Sequence, residues 1–146
     1  MRVAVIVTIN DAINGASLRK GKTMAASVST VSALDPAAYD WDSVPEEEVM
    51  DGVRRKVIAG EKAMLVMYFI KEGTEFPRHN HPHEQFAYIL EGTFRMQCDD
   101  GTFDLGPGSV MHVPSGVYHG GYAVGSDVVE VDIFSPIRED YLPKSS

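Results

Sequence analysis

From Val53 to Phe134 the chain is a series of short β-prone runs, each closed by turn residues, and this pattern limits the possible folds more than any other feature. Turns recur roughly every eight to twelve residues, which is typical of β-sandwiches and barrels. The predicted strands are 53–58, 63–70, 86–90, 93–98, 103–105, 110–113 and 128–134. The sequence therefore predicts an all-β protein, an antiparallel barrel or jelly roll of about six to eight strands. The run Ala63 to Ile70 is apolar throughout, which predicts a strand buried on both faces.

The 146 residues are enough for one domain with a hydrophobic core and too few for two stacked domains. Residues 1–34 are rich in Ala, Ser, Thr and Val, and they predict an extension that is either a strand arm or a flexible segment. Residues 3–9 carry the alternating apolar pattern of such an arm. Residues 35–146 are predicted to form a single barrel domain. Asp35 and Pro36 are a helix-opening pair, so one short helical turn is expected over residues 37–41.

Charge and cysteine content exclude several classes of protein. The net charge of −8 and the pI near 5.0 argue against a nucleic-acid partner, although a small acidic metabolite remains compatible with them. The longest apolar runs fall short of the roughly 18 residues that a membrane span needs. Cys98 is the only cysteine, so a disulfide within the chain is impossible. The apolar start at residues 1–9 is too short for a signal peptide, and a cytoplasmic location is expected.

The five histidines all lie between positions 79 and 119. Residues two apart on a strand face the same side, so His79 and His81 can direct two imidazoles at one point. Gln85 adds an oxygen ligand, and His119 follows a Pro-Ser-Gly turn and closes the site from another strand. Three nitrogens and one oxygen suit Zn, Fe, Ni, Cu or Mn. A surface histidine tract without a metal is the alternative interpretation.

The spacing of these residues resembles the two motifs of the cupin superfamily, G-x5-H-x-H-x3,4-E-x6-G and G-x5-P-x-G-x2-H-x3-N. The first motif is matched by Gly73, His79, His81, Gln85 and Gly92, and the second by Gly108, Pro114, Gly116 and His119. The resemblance implies a double-stranded β-helix, the jelly-roll barrel of cupins. It also implies one divalent transition metal ion, Zn, Ni, Fe or Mn, held by the three histidines and the glutamine.

Two positions depart from the cupin motifs. Ala123 stands where the second motif has Asn, and Gln85 stands where the first has Glu. A neutral ligand in place of a carboxylate leaves the metal site more positive, which favours an anionic ligand and strengthens the ion as a Lewis acid. The same change weakens the analogy to cupin dioxygenases that use the glutamate.

The segment 130–142 at the end of the chain carries a second resemblance. Together with the His-Pro-His-Glu-Gln sequence, it is similar to small cupins of pectin and alginate breakdown, which convert 4,5-unsaturated uronates into linear keto sugars. In that family the pattern D-x-F-x3-R supplies an Asp, a Phe and an Arg with roles in the pocket. Here the pattern is matched by Asp132, Phe134 and Arg138.

The residues themselves support part of this assignment. Strand parity places Asp132 and Phe134 on one face of an otherwise apolar strand. As a hypothesis, Asp132 is the general acid/base, Arg138 binds the substrate carboxylate and Phe134 forms a wall for the sugar ring. Arg95 is a further candidate contact to an anion. The alternative is that Asp132 and Arg138 form a structural ion pair that closes the end of the barrel.

Three functions remain open at this point. The first is a metal-dependent isomerase or lyase-type enzyme that acts on a small acidic sugar metabolite. The second is a cupin dioxygenase, and the third is a cupin that binds a small ligand without catalysis. A homodimer is expected, because pairing between two copies would cover the edges of the barrel.

Overall fold

The structure is a computed structural model that describes residues 29–30 and 36–142. In these residues, eleven strands and two short 3₁₀ turns are present. The strands are β1 Ser29–Thr30, β2 Glu46–Met50, β3 Val53–Ala59, β4 Met64–Ile70, β5 Glu75–His79, β6 Glu84–Glu91, β7 Phe94–Cys98, β8 Gly101–Leu105, β9 Val110–Val113, β10 His119–Ala123 and β11 Val128–Ser135. The predicted arm at residues 3–9 lies outside the described residues. Whether residues 1–34 form an extension and residues 35–146 one domain stays a prediction.

The strands form two sheets in the jelly-roll arrangement. The larger sheet has the order β1-β3-β4-β11-β6-β9, with β2 also paired to β3. The smaller sheet has the order β5-β10-β7-β8. All of these pairs are antiparallel except β1 with β3. Because β11 lies between β4 and β6, the last strand of the chain runs through the middle of the larger sheet, where its inner face contributes to the interior of the barrel.

The hydrophobic core lies between the two sheets. Alternate residues of β4 point inward, and Met64 and Val66 are fully buried. Phe94 and Met96 reach the same core from the smaller sheet. The prediction that this apolar strand is buried on both faces is wrong in part, because Leu65 on the outer face is 39% exposed. Apolar residues alone do not show which face of a strand is covered.

Several elements differ from the sequence prediction. Strands β1 and β2 were not predicted, the strands expected to carry His79 and His119 had no predicted bounds, and the described strands number eleven rather than six to eight. The glutamate-rich β2 pairs with the basic strand β3, where Arg55 bonds Glu47 at 2.6 Å. The short helical turn spans Trp41–Ser43 rather than residues 37–41, because Asp40 caps it by accepting the amide of Asp42. In residues 29–30 and 36–142 no helix is long and apolar enough to span a membrane.

Candidate metal centre

Two strands and one loop bring three histidines together at the mouth of the barrel. His79 is the last residue of β5 and His119 the first of β10, and the two are direct partners across the smaller sheet. His81 follows in the loop to β6 and not on the strand itself. Ligand nitrogens of the three side chains all lie within 4.8 Å of one another. The rings of His79 and His119 are 4.5 Å apart between centroids, and those of His81 and His119 are 5.0 Å apart.

Contacts between two loops hold His81 in this position. The amide of Gly116 donates to the carbonyl of His81 at 2.9 Å, and the side chain of Asn80 donates to the carbonyl of Gly116 at 3.2 Å. The hydroxyl of Ser115 donates to the carbonyl of Pro82. Gly116 has a φ of 79°, a backbone conformation that glycine adopts without steric cost. The turn of the second cupin-like motif therefore positions a histidine of the first.

The backbone also sets which nitrogen of each ring faces the centre. Each Nδ1 lies at hydrogen-bond distance from a backbone carbonyl: His79 to Pro77 at 2.8 Å, His81 to His83 at 3.0 Å and His119 to Val117 at 2.9 Å. A carbonyl oxygen only accepts, so Nδ1 must carry the proton and the lone pair is on Nε2. In proteins, this outer hydrogen bond is typical of histidines that bind metals.

Burial keeps the imidazoles of His81 and His119 in the neutral form that binds a metal. It lowers the pKa of His119 to about 4, and it lowers the pKa of His81 as well. The Nε2 atom of His119 is buried and has no hydrogen-bond partner in the described part of the chain. A buried nitrogen with a free lone pair lowers the stability of the fold unless a metal ion or a hydrogen-bond donor satisfies it.

Gln85 completes the donor set. Its Nε2 donates to Oδ2 of Asp132 at 3.0 Å, which leaves Oε1 pointing at Nε2 of His81, also at 3.0 Å. Both of these atoms are acceptors when His81 carries its proton on Nδ1, so they repel each other unless a cation lies near both. This donor set of three imidazole nitrogens and one amide oxygen fits a divalent transition metal ion.

A cavity inside the barrel is lined by three of the four donors, His79, Gln85 and His119. Its polar lining consists of Tyr68, His79, Gln85, His119, Glu130, Asp132, Arg138 and Tyr141. Its apolar lining consists of Phe76, Phe94, Met96, Gly120 and Phe134. Aromatic rings and a few convergent polar groups are typical of a small-molecule site.

Three alternate residues on the inner face of β11 belong to this lining: Glu130, Asp132 and Phe134. Phe134 is 1% exposed, and its ring meets the ring of His81 edge-on at 5.5 Å. Burial raises the pKa of Asp132 above its usual range, while the hydrogen bond from Gln85 and the charge of Arg138 oppose this shift. A carboxyl group in such surroundings is suited to exchange protons near neutral pH.

Arg138 also lines the cavity. Its guanidinium is paired with Asp140 at 2.8 Å and lies 4.0 Å from the centre of the Tyr141 ring. Asp132 accepts its hydrogen bond from Gln85 instead, so the structure differs from the alternative in which Asp132 and Arg138 are ion-pair partners. The charge of Arg138 is thus held beside the cavity by residues of the last 3₁₀ turn, Glu139–Tyr141.

Comparison with known proteins agrees with this geometry. The cupin domain model matches residues 66–134. The pectin degradation protein KdgF of Dickeya dadantii is 30% identical over 103 residues, which are 69% of this chain and 94% of that protein. The chain belongs to the cupin family.

Solved structures extend the likeness of this cupin to the whole barrel. KdgF from Halomonas sp. has 26% sequence identity and a TM-score of 0.70, and the match covers 74% of this chain and 100% of that one. An RmlC-like cupin from Shewanella frigidimarina has 28% identity and a TM-score of 0.69, and the match covers 74% of this chain and 97% of that one. The predicted jelly-roll cupin barrel is confirmed.

The structure brings nearly all of the predicted site residues of this cupin into one place. The four predicted metal ligands and the three residues of the D-x-F-x3-R pattern surround the same centre and cavity. Arg95 is the exception, because it does not line the cavity, and the prediction that it is a second contact to an anion is wrong. Strand parity sends Phe94 and Met96 inward and Arg95 outward, where its guanidinium binds Asp104 at 2.6 and 2.7 Å.

Three polar residues of the cavity were missed in the sequence. Glu130 has the same parity on β11 as Asp132 and Phe134, so the argument that identified Asp132 applies equally to it. Tyr68 and Tyr141 meet through their hydroxyls at 3.0 Å although they are 73 residues apart. No local signal separates a buried tyrosine of this kind from an ordinary core residue.

Proposed function

We propose that this cupin is a metal-dependent enzyme that opens the ring of a 4,5-unsaturated uronate, or of a similar acidic sugar metabolite, to give the linear keto sugar. The observation that carries the proposal is the hydrogen bond from Gln85 to Asp132, which joins the metal ligands to a buried carboxyl group in one cavity. The 30% identity to a pectin degradation protein supports a sugar acid as the substrate class.

The metal site is suited to an anionic substrate. Held by His79, His81, Gln85 and His119, a divalent metal ion would polarise a substrate oxygen as a Lewis acid. All four of these side chains are neutral as ligands, so none of them would compensate the positive charge of the ion. This property favours a sugar that carries a carboxylate.

The other residues of the cavity have separate tasks in this proposal. Arg138 binds the substrate carboxylate, since the planar guanidinium matches a carboxylate in a bidentate pair. Phe134 packs against the sugar ring and keeps water from it. Asp132 removes the proton of a substrate hydroxyl, which starts the opening of the ring. The pair between Arg138 and Asp140 keeps the guanidinium oriented before the substrate arrives.

The test is a spectroscopic assay with a 4,5-unsaturated monouronate. Metal-loaded protein is mixed with the substrate, and loss of the ultraviolet absorbance of the conjugated double bond is followed against a protein-free sample. We expect a clear acceleration with at least one of Zn, Ni, Mn or Fe. The His119→Ala protein should lose this acceleration, because it lacks one of the three imidazoles.

His112→Ala is the matched control for this assay. His112 bonds Glu84 at 2.8 Å and stacks on Phe86, outside the cavity, so its loss should leave the rate unchanged. Absence of acceleration with every metal would reject the uronate function while leaving the metal site intact. The cupin dioxygenase and the non-catalytic ligand-binding cupin would then be the functions to test.

A further inference from the structure

Glu130 is a buried carboxyl group to which the proposed function assigns no role. It lies two residues before Asp132 on the inner face of β11 and lines the same cavity. It is 5% exposed, and its Oε2 is buried without a hydrogen-bond partner in the described residues. Such a group lowers stability unless it is protonated or has a function.

The neighbours of Glu130 across the sheet do not satisfy it. Its partners in the register are Tyr68 on β4 and Ile89 on β6. Ile89 has no polar group in its side chain, and the hydroxyl of Tyr68 is bonded to Tyr141 at 3.0 Å. Arg55 on β3 is the next residue across the sheet, paired with Tyr68, and it bonds Glu47 at 2.6 Å. The carboxyl group of Glu130 is therefore left to face the cavity.

Glu130 and Asp132 have contrasting surroundings. Burial raises the pKa of Asp132, but this carboxyl group also accepts a hydrogen bond from Gln85 and lies within the field of Arg138, and both of these contacts oppose the rise. In the described part of the chain, no hydrogen-bond donor or paired cation accompanies the carboxyl group of Glu130. Burial and the charge of Asp132 raise the pKa of Glu130 well above its usual value. The contacts of the two carboxyl groups therefore differ: Asp132 has a donor that stabilises a carboxylate, and Oε2 of Glu130 has none in the described residues. Such a difference in surroundings separates a general base from a general acid.

We propose that Glu130 is a second catalytic residue of this cupin and delivers a proton to carbon C4 of the substrate, while Asp132 acts as the base. The inference rests on the proposed function, because it assigns the two halves of the proton transfer in that reaction. It also gives a reason for an unpartnered carboxyl group inside the barrel, which costs stability and persists where it serves the chemistry.

The proton balance of ring opening matches this division. Asp132 takes the proton of the C1 hydroxyl, whose O–H electrons form the C1 carbonyl while the bond from C1 to the ring oxygen breaks. The electron pair of that bond stays on the former ring oxygen and makes an enolate across C5 and C4. Glu130 gives its proton to C4, so that the C4–C5 double-bond electrons form the new C–H bond and the oxygen electrons form the C5 ketone.

Return of the proton from Asp132 to Glu130 restores both groups. Neighbouring same-face positions on a strand lie ~7 Å apart, so this return passes through the cavity. The overall reaction is an isomerisation and consumes no other reactant. C4 gains one hydrogen, and Glu130 delivers that hydrogen to one face of C4.

The experiment follows the new C–H bond in D2O. Metal-loaded wild-type protein converts the 4,5-unsaturated monouronate, and NMR of the freshly quenched product shows on which face of C4 the deuterium lies. We expect deuterium on one face with the wild type. With Glu130→Gln we expect keto formation about 100-fold slower or more, the usual effect of losing a general acid. Its residual product should carry deuterium on both faces, as in the protein-free conversion.

A control variant, a second Glu130 variant and a spectroscopic measurement keep the outcomes separate. Glu91→Gln, at the exposed end of β6, should retain the wild-type rate and labelling. Glu130→Met fills the same space without a polar group and replaces the glutamine variant if that one fails to fold. Difference infrared spectra of wild type against Glu130→Gln should show the carbonyl band of a protonated carboxyl group, which does not depend on activity.

Deuterium on a single face in a folded Glu130 variant would overturn the inference, and so would deuterium on both faces with the wild-type protein. Either result leaves the proposed function standing, since the wild type still accelerates the reaction. Failure of the wild type to accelerate the conversion rejects the proposed function itself. The two failures are thus distinguished by the rate of the wild-type protein alone.

Discussion

Gln85 connects two parts of the site that have different chemistry. Its oxygen faces the imidazole of His81 and its nitrogen donates to Asp132, so one side chain would serve both the proposed metal ion and the proposed acid/base. A glutamate at this position has no N–H to give. The departure from the cupin motif therefore changes the hydrogen bonding of Asp132 as well as the charge of the metal site.

We expect Gln85→Glu to bind the metal more tightly and to open the sugar ring at least about 10-fold more slowly. The new carboxylate would lie within hydrogen-bond distance of Asp132, and two carboxyl groups this close share a proton, so Asp132 is no longer free to act as the base. Calorimetric metal titration and the ultraviolet assay measure the two effects.

Gln97→Glu is the matched control, because Gln97 is exposed on β7. It should change neither the metal affinity nor the rate. A Gln85→Glu protein with the wild-type rate would show that the hydrogen bond to Asp132 has no part in catalysis.

At the scale of elements, β10 is placed by two glycines that follow His119. A Cβ on Gly120 would lie 2.7 Å from the carbonyl oxygen of Phe76, and one on Gly121 would lie 2.2 Å from that of Arg95. The pairing with β5 also shifts register between His119 and Gly121. The backbones of the smaller sheet approach closely here, and this approach brings His119 opposite His79.

Gly121→Ala should lower the free energy of unfolding by about 3 kcal/mol or more, because the methyl group collides with backbone that has no room to move. Urea unfolding measures the change. Gly106→Ala is the control, since a Cβ there meets nothing within 4 Å, and a surface change of this kind stays within about 0.5 kcal/mol. Equal stabilities of the two variants would contradict the close approach.

At the scale of the whole molecule, the larger sheet leaves an apolar stripe on its outer face. Register places Leu65, Ile133 and Phe86 side by side across β4, β11 and β6, and Tyr88 beside Val110 on the edge strand β9. Phe86 and Tyr88 are each 39% exposed, and Val110 is 58% exposed. Contiguous apolar surface of this kind is typical of a protein–protein interface.

We expect the protein to be a homodimer that buries this stripe around a two-fold axis. Sedimentation equilibrium of the full chain measures the mass. Tyr88→Lys should give a monomer, because it places a charge at the centre of the apolar contact. Val49→Lys, on β2 and 42% exposed, should leave the dimer intact. A wild-type protein that is monomeric at every concentration, or a Tyr88→Lys protein that stays dimeric, would contradict this interface.

Local pattern in the sequence was sufficient for seven of the eleven described strands and for the residues of the candidate metal site. The predicted strand at 110–113 coincides with β9, and parity placed Asp132 and Phe134 in the cavity. Alternation along a strand and turn residues between strands act over a few positions, so they are visible without a structure. The spacing of the histidines was equally informative, because both motifs are short.

Tertiary structure alone decided the contacts between distant parts of the chain. Gln85 and Asp132 meet across 47 positions because β11 runs beside β6, and in the same sheet Oε2 of Glu130 has no hydrogen-bond partner among the described residues. The partner of Arg138 proved to be Asp140, two residues away, since the last 3₁₀ turn carries it there. Strand order is set by the packing of the whole barrel, and it leaves no periodic signal along the chain.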